Sequence, residues 1–177
     1  MKRKMILSLI ALAAISTISF LAKSQSPDDS DTISLSDFDM CPTRAGYSSL
    51  NTVFLNESGF IAKFGMPLSK SSEYSEMDEA NMKHYVYKGA EAWFIHNGLE
   101  ALVFTAPDYH LVMSNSRSIK VDDAVSTVAR MFPSSWAGRV SNQVFVALRN
   151  SKGPIDMTLL FEFNLKTNTV TKIPIQG

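Results

Sequence analysis

The stretch HYVYKGAEAWFIHNGLEALVFT, residues 84–105, decides how the fold is interpreted. It contains three strand-like apolar runs, and two short turns, Gly89-Ala90 and Asn97-Gly98, separate them. Asn-Gly between apolar runs is a strong hairpin signal, because both residues tolerate the positive φ that a type I′ turn requires. The sequence therefore predicts a three-stranded antiparallel meander over 84–88, 91–96 and 99–105.

Two-residue turns at these positions determine which side chains share a face. They pair His96 with Leu99 and Tyr87 with Ala92, and alternation along each strand sorts the rest. One predicted face carries no formal charge, and we assign it to a core beneath helices: Tyr85, Tyr87, Ala92, Phe94, His96, Leu99, Ala101 and Val103. The other predicted face carries every charge of the three runs: His84, Val86, Lys88, Glu91, Trp93, Ile95, Glu100, Leu102 and Phe104.

The charged face supplies the candidate partner-binding site. Val86, Trp93 and Leu102 fall in one predicted row across the strands. An apolar row with a charged rim is typical of a recognition surface, and tryptophan is a frequent energetic anchor there. The alternative is that residues 106–118 or the second half of the chain cover this row. The predicted rim residues are Lys88, Glu91 and Glu100.

A helix precedes this meander in the prediction. Asn56 suits an N-cap, and Gly65-Met66-Pro67 is typical of a helix end, so the sequence predicts a short helix over 57–64. The polar and acidic stretch 69–81 is predicted to be a loop. Together with the meander, this helix forms a first predicted unit over 56–118.

The second half of the chain repeats the pattern. Asp122 or Asp123 is expected to cap a helix over 124–131 that ends before Pro133. Three further strand-like runs follow, at 142–149, 155–164 and 169–174. The sequence thus predicts an α+β fold of two tandem helix-plus-three-strand units, the second over 119–177, with short helices packed on one face of antiparallel sheet.

Short motifs link this pattern to a known architecture. Phe64-Gly65-Met66-Pro67, Tyr85-Val86-Tyr87, the Asn97-Gly98-Leu99 hairpin, and the second copy from 120–123 through Phe132-Pro133 resemble the BamE/SmpA and β-lactamase-inhibitor-protein-like (BLIP-like) families. The chain also looks like small exported Bacteroidetes proteins of unknown function. The resemblance implies short helices against one face of antiparallel sheet, over roughly 56–175. The chain lacks a lipobox cysteine and the disulfide cysteines of the inhibitor type, so the resemblance carries over a scaffold and no functional residue.

The amino-terminal residues predict export. Lys2-Arg3-Lys4 precedes an apolar run, 5–21, and Ala22-Lys23-Ser24 suits a cleavage site, so 1–24 is expected to be a signal peptide. An uncleaved anchor is the alternative.

The chain has 17 basic and 17 acidic residues, and removing 1–24 takes away four bases and no acid, which leaves 13 against 17 and a net charge of −4. A periplasmic or secreted protein is expected, with no membrane span after cleavage and no nucleic-acid partner.

Residues 25–55 are predicted to form an acidic linker and a poorly defined lead-in. Cys41 is the only cysteine. It is expected to be a small buried hydrophobe, and an intermolecular disulfide is the alternative.

No catalytic motif is present, so an enzyme is not expected. The chain has neither a G-x-S-x-G serine elbow nor an H-E-x-x-H zinc motif. His84 and His96 are predicted on opposite faces, which argues against a histidine metal site, and no cofactor is expected.

The function that fits best is binding to a protein or another envelope macromolecule. Inhibition of an enzyme and transport of a small molecule between sheet and helices are the alternatives.

Overall fold

The computed structural model describes residues 31–42, 56–76 and 78–177. The predicted signal peptide, 1–24, lies outside the described residues, as do 25–30 and 43–55 of the predicted linker. The described part of the chain contains eleven strands and three helices. In chain order they are β1 (Thr32–Ser34), β2 (Phe38–Pro42), α1 (Glu57–Phe64), β3 (Ser69–Ser75), β4 (Ala80–Tyr87), β5 (Ala90–Ile95), β6 (Gly98–Phe104), β7 (Tyr109–Met113), β8 (Ser118–Lys120), α2 (Val125–Met131), α3 (Pro133–Ala137), β9 (Gln143–Asn150), β10 (Gly153–Asn164) and β11 (Thr169–Gln176).

The described strands form two sheets. The larger has eight strands in the order β1-β9-β10-β11-β6-β5-β4-β3, and the smaller has three in the order β2-β7-β8. β1 runs parallel to β9, and every other neighbouring pair in the two sheets is antiparallel.

The junction of β6 with β11 overturns the predicted fold. Phe104 lies opposite Ile173, Leu102 lies opposite Ile175, and all four side chains are fully buried. Burying one such side chain is worth about 1.5–3 kcal/mol, so the two meanders gain more by joining than by standing apart. The expectation of an α+β fold of two tandem units is therefore wrong, because strands dominate the described chain and one sheet runs through both halves. The resemblance to BamE/SmpA and BLIP-like proteins is wrong for the same reason.

Stretches predicted as linker or loop supply three strands, β1, β2 and β3. In β2, Phe38 and Met40 alternate into the core and are fully buried. Asp39, between them, is also buried, and the ammonium group of Lys63 lies 2.6 Å from its Oδ1. This ion pair joins α1 to the small sheet. The charge of Asp39, which favoured the linker prediction, is balanced by a lysine 24 positions further along the chain.

Helices and the small sheet all pack on one side of the large sheet, which we call its inner face; the opposite side is the outer face. Aromatic rings make the contacts. Phe60 of α1 meets Phe94 with ring centroids 5.3 Å apart, and Tyr109 of β7 stacks on Phe104 at 4.7 Å. Next to α3, Phe132 meets Phe161 of β10 at 5.4 Å. The core is the layer of side chains between these elements.

The start of α1 is as predicted, and that of α2 is not. The side-chain oxygen of Asn56 accepts a hydrogen bond from the backbone N–H of Gly59 at 2.9 Å. The N-cap of α2 is Ala124, which makes no side-chain bond. The N–H of Val125 instead donates to the carbonyl of Asn168 at 3.0 Å. A neighbouring loop therefore caps the start of α2, the role expected of Asp122 or Asp123.

The β5–β6 hairpin differs from the prediction by one residue. Its turn residues are His96 and Asn97, with φ of 48° and 69°, and Ile95 pairs with Gly98. A bulge at Glu100 follows, because Phe94 pairs with Leu99 while Trp93 pairs with Ala101. A one-residue slip reverses the two faces of a strand.

The shifted turn alone keeps Leu99 on the inner face, opposite Phe94. The bulge supplies the one-residue change, and it puts Leu102 and Phe104 on the inner face and Ala101 and Val103 on the outer face. The predicted register would have left Leu102 and Phe104 outside the core. Burying two large side chains outweighs the preference for Asn-Gly at a turn, because β-turn and strand preferences are worth about 1 kcal/mol.

The β4–β5 hairpin also departs from its predicted register, without consequence for the faces. Tyr87 pairs with Ala90 rather than Ala92, a shift of two residues. A shift of two keeps every side chain on the same side. Tyr85, Tyr87, Ala92 and Phe94 are accordingly buried on the inner face, as predicted.

Candidate functional site

One row of outer-face side chains crosses six strands, from β4 to β9. Glu91 is its one charged member, and every other member is apolar. We call this row the outer stripe. Its members are Val86, Glu91, Val103, Pro174, Leu160 and Phe145.

A histidine–tryptophan stack lies beside the stripe. His84 of β4 pairs across the strands with Trp93 of β5. Their rings are parallel within 3°, with centroids 4.5 Å apart. His84 Nε2 also lies 2.8 Å from Glu91 Oε2. The histidine ring therefore covers one face of the indole and is itself held by a carboxylate.

The two ends of the stripe are more accessible than its middle. Val86 and Val103 at the β4–β6 end and Phe145 at the β9 end are half-buried, as is Trp93 beside the stripe, whereas Leu160 is only 1% exposed. The ring contacts of α1, β7 and Phe132 are all made with the inner face. An aromatic ring and two valines are therefore left partly open to solvent on the outer face.

Of the predicted apolar row, two residues share the outer face and one does not. Val86 and Trp93 lie there, in neighbouring rows. Leu102 is fully buried on the inner face. Its predicted place in the row is wrong because the bulge at Glu100 reverses the faces of β6. Ala101 lies opposite Trp93, where Leu102 was expected, and Val103 lies opposite Glu91, in the row of Val86.

The predicted rim is only partly assembled. Glu91 is on the outer face, with 42% of its side chain exposed. Its carboxylate contacts His84. Lys88 lies in the exposed β4–β5 turn and Glu100 in the exposed bulge. Partial burial, with the charge of Asp78, raises the pKa of Glu100.

Sequence reasoning missed the half of the stripe that β11 and β9 supply. Pro174 enters it because β11 pairs with β6, and Phe145 enters it two strands further on. Leu160 joins the outer stripe through its pairing with Phe145, although it is only 1% exposed. No local signal places β11 next to β6, so the continuous stripe could not be seen before the topology.

Two tyrosines on the inner face of β4 have different surroundings. The Tyr85 hydroxyl donates to Glu57 Oε1 at the start of α1. The Tyr87 hydroxyl is buried and has no hydrogen-bond partner among the described residues. Burial raises the pKa of each to about 12, and for Tyr85 the bond to Glu57 adds to this.

The single cysteine lies in an ordered strand rather than a loose segment. Cys41 of β2 is 8% exposed and lies opposite His110 of β7. Burial, with the charge of Asp39, raises the pKa of the Cys41 thiol. Burial likewise lowers the pKa of His110. Both side chains therefore favour their neutral forms, which does not suit a thiolate–imidazolium nucleophile.

The described residues contain neither a cluster of metal-ligating side chains nor a membrane-spanning helix. Residues 31–42, 56–76 and 78–177 contain no group of three or more His, Cys, Asp or Glu side chains arranged to hold a metal ion. The helices of that same part of the chain are all too short or too polar to cross a bilayer.

Comparisons with known proteins identify no family for this chain. No protein-family model matches the chain, and no curated protein matches it. One similar solved structure is an extracellular protein containing an SCP domain from Bacillus anthracis str. Ames, with 10% sequence identity and a TM-score of 0.39. The match covers 75% of this chain and 46% of that protein, so the chain spans less than half of its length. A likeness this low supports no conclusion about fold or activity.

Proposed function

We propose that the protein is an exported, non-enzymatic binding protein. In this proposal, the β4–β6 end of the outer face is presented to a protein partner in the cell envelope. The observation that carries it is the half-buried Trp93, stacked on His84 and bordered by Val86 and Val103. A rigid, partly open indole beside apolar side chains is the composition of an interface anchor.

The chemistry of this surface favours one kind of contact. Val86 and Val103 offer apolar area, and Glu91 offers a partly exposed carboxylate. A suitable partner inserts an apolar or aromatic side chain beside Trp93 and brings a hydrogen-bond donor or cation to Glu91. Lys88 and Glu100, both exposed, lie at the periphery and contribute mainly to the rate of association. If the partner is an enzyme, the same contact would make the protein an inhibitor.

Transport of a small molecule is less well supported. A carrier of the expected kind needs an apolar cavity between the sheet and the helices, and the packed rings of Phe60, Phe94, Phe104 and Tyr109 occupy that layer. A cleft of about 190 Å³ lies elsewhere, beside Asp31, Arg117 and Phe132. Ligand pockets usually measure about 300–1,000 Å³.

The test is capture of the partner by the full chain and by two matched tryptophan variants. Trp93→Ala removes the proposed anchor. Trp136→Ala is the control, because Trp136 is also half-buried but lies on α3 against Phe163. We expect Trp93→Ala to weaken binding of a partner isolated from the host envelope by at least tenfold, and Trp136→Ala to leave binding unchanged.

A direct readout comes from the same two residues, the only tryptophans in the chain. In Trp136→Phe the remaining fluorescence comes from Trp93, and binding should shift its emission to the blue as water leaves the indole. Equal capture by the wild-type chain and by a folded Trp93→Ala variant would contradict the proposed surface, as would an unchanged emission spectrum in the presence of bound partner.

A further inference from the structure

The free edge of the large sheet at β3 has the features of a strand-pairing site. β3 pairs with β4 over seven consecutive residues without a bulge. At about 3.3 Å per residue it presents roughly 23 Å of backbone edge. It contains no proline, and Ser69 to Tyr74 are all exposed. Unpaired backbone N–H and C=O groups along such an edge can bind another strand.

The other described edges are protected. β1, at the far end of the large sheet, is only three residues long. In the small sheet β8 is equally short, and β2 is buried along its length and ends at Pro42. Short edge strands, covered edges, proline and charged side chains are the usual ways in which proteins prevent edge pairing. β3 is long, uncovered and without proline, and its only such feature is one charge of each sign, Lys70 and Glu73.

Exposed apolar side chains are concentrated at this edge. The described residues include four large hydrophobic side chains that are strongly exposed, and three of them lie in β3 or just before it: Met66 (74%), Leu68 (75%) and Tyr74 (63%). Leu68 precedes the strand, and its N–H donates to the carbonyl of Val86 at 2.7 Å, so it already lies alongside β4. An open backbone edge with apolar side chains at both ends is suited to an extended partner strand.

The sequence of the edge is complementary to itself. If two copies pair antiparallel about a two-fold axis at Ser71, Leu68 of each faces Tyr74 of the other. The same register puts Lys70 opposite Ser72 and Glu73 opposite Ser69, so no like charges meet. By alternation, Leu68 and Tyr74 point to the same side of the sheet, as cross-strand neighbours must.

Neighbouring registers fit less well. Centring the axis on Ser72 puts Leu68 against Glu76. Centring it on Glu73 or Lys70 brings two identical charges face to face, which is unfavourable. Of these registers, only the one centred on Ser71 buries the apolar side chains and separates the charges.

We propose that β3 is a homodimerisation edge. In the dimer, β3 of one chain pairs antiparallel with β3 of a second copy about Ser71, and the two eight-stranded sheets become one continuous sheet. This edge adjoins the outer-face surface, because Ser69 lies opposite Val86 and Ser71 lies opposite His84. The dimer is measured with no partner present, so either proposal can fail without the other. The dimer would carry two copies of the surface around Trp93, one from each chain.

Charge substitution at Ser71 tests both the dimer and its register. The mass of the full chain, purified after export and kept with a reducing agent to exclude a disulfide through Cys41, is measured by sedimentation across a range of concentrations. We expect a dimer for the wild-type chain. Ser71→Lys and Ser71→Glu each put two like charges opposite one another, and each should raise the dimer dissociation constant at least tenfold. Mixing the two variants should restore a dimer, because lysine then faces glutamate.

The controls separate the edge from general surface charge. Ser126→Lys and Ser126→Glu change an exposed serine on α2 and should not alter the mass. A second pair covers the possibility that a Ser71 variant is unstable: Leu68→Glu alone should dissociate the dimer, and Leu68→Glu with Tyr74→Lys should restore it. A wild-type chain that stays monomeric at all concentrations overturns the proposal, as does a dimer that Ser71→Lys leaves intact, or a mixture of the folded Ser71 variants that fails to associate.

Discussion

Tyr85 and Tyr87 leave β4 on the same side, two residues apart, and both are buried. Their hydroxyl groups differ: that of Tyr85 donates to Glu57, and that of Tyr87 has no partner in the part of the chain that is described. A buried, unsatisfied hydroxyl costs about 1–3 kcal/mol, whereas a satisfied one stabilises the fold. The two positions therefore offer a matched comparison of the same chemical change.

We predict that Tyr87→Phe stabilises the protein and Tyr85→Phe destabilises it. Removing the Tyr87 hydroxyl relieves an unmet hydrogen-bonding requirement and should raise the free energy of unfolding by about 1 kcal/mol. Removing the Tyr85 hydroxyl loses its bond to Glu57 and should lower it by about 1 kcal/mol. Urea unfolding at neutral pH measures both. A loss of stability in Tyr87→Phe would mean that its hydroxyl has a partner in the folded protein.

Tyr87→Phe should also change how the stability of the protein depends on alkaline pH. The pKa of Tyr87 is raised to about 12, against about 10 for an unfolded tyrosine. The contribution of this shift to stability is therefore complete below pH 10 and is lost as the pH rises towards 12. Tyr87→Phe should lose less stability than the wild-type chain over that interval.

Among the elements, β6 shows how one residue changes a whole strand. The bulge at Glu100 sends Leu102 inward and Val103 outward, the reverse of what the Asn97-Gly98 turn indicates. Turn preference acts over two residues, whereas the burial of Leu102 and Phe104 acts on the whole strand. Burial decides the register.

We predict that Leu102→Ala and Val103→Ala differ widely in cost. Leu102 is fully buried, so its truncation should lower the free energy of unfolding by about 2–5 kcal/mol. Val103 is half-buried on the outer face, and its truncation should cost less than about 1 kcal/mol. Thermal or urea unfolding measures the difference. Equal costs, or a larger cost at Val103, would show that β6 has the register expected from the turn.

Sequence reasoning succeeded where the signal is local. Asn56 marks the start of α1, and alternation from Tyr85 to Phe94 gives the correct inner face for β4 and β5. It failed where pairing with a distant strand decides the outcome. β3 has the sequence of a loop and becomes a strand only against β4. For the candidate site, Val86, Trp93 and Glu91 were predictable, whereas Pro174 depends on the β6–β11 pairing, which has no local signature.

In the whole molecule, that pairing makes the two halves depend on each other. Four cross-strand pairs join β6 to β11, and the side chains at the junction belong to one continuous core. When the halves are separated, β6 of one and β11 of the other each become an open edge of sheet. Small domains are only marginally stable, so losing this junction is costly.

We predict that the halves 56–118 and 119–177 do not fold separately. Each should lack a cooperative thermal transition by circular dichroism, whereas the full chain should unfold in one cooperative step. The loss follows from exposing Phe104 and Leu102 on one side and Ile173 and Ile175 on the other. A sharp transition in either isolated half would contradict the dependence and would favour independent units.

The position of β1 has a consequence for the timing of folding. Thr32–Ser34 lies parallel to β9, and Asp31 exchanges two hydrogen bonds with Ser135, 104 positions away. A chain passing amino end first through a secretion channel would deliver β1 long before its neighbour emerges. The eight strands cannot close into their final order until almost the entire polypeptide has crossed. Contacts between residues so far apart in the sequence slow folding, and slow closure of the sheet would keep the chain unfolded while it is being translocated.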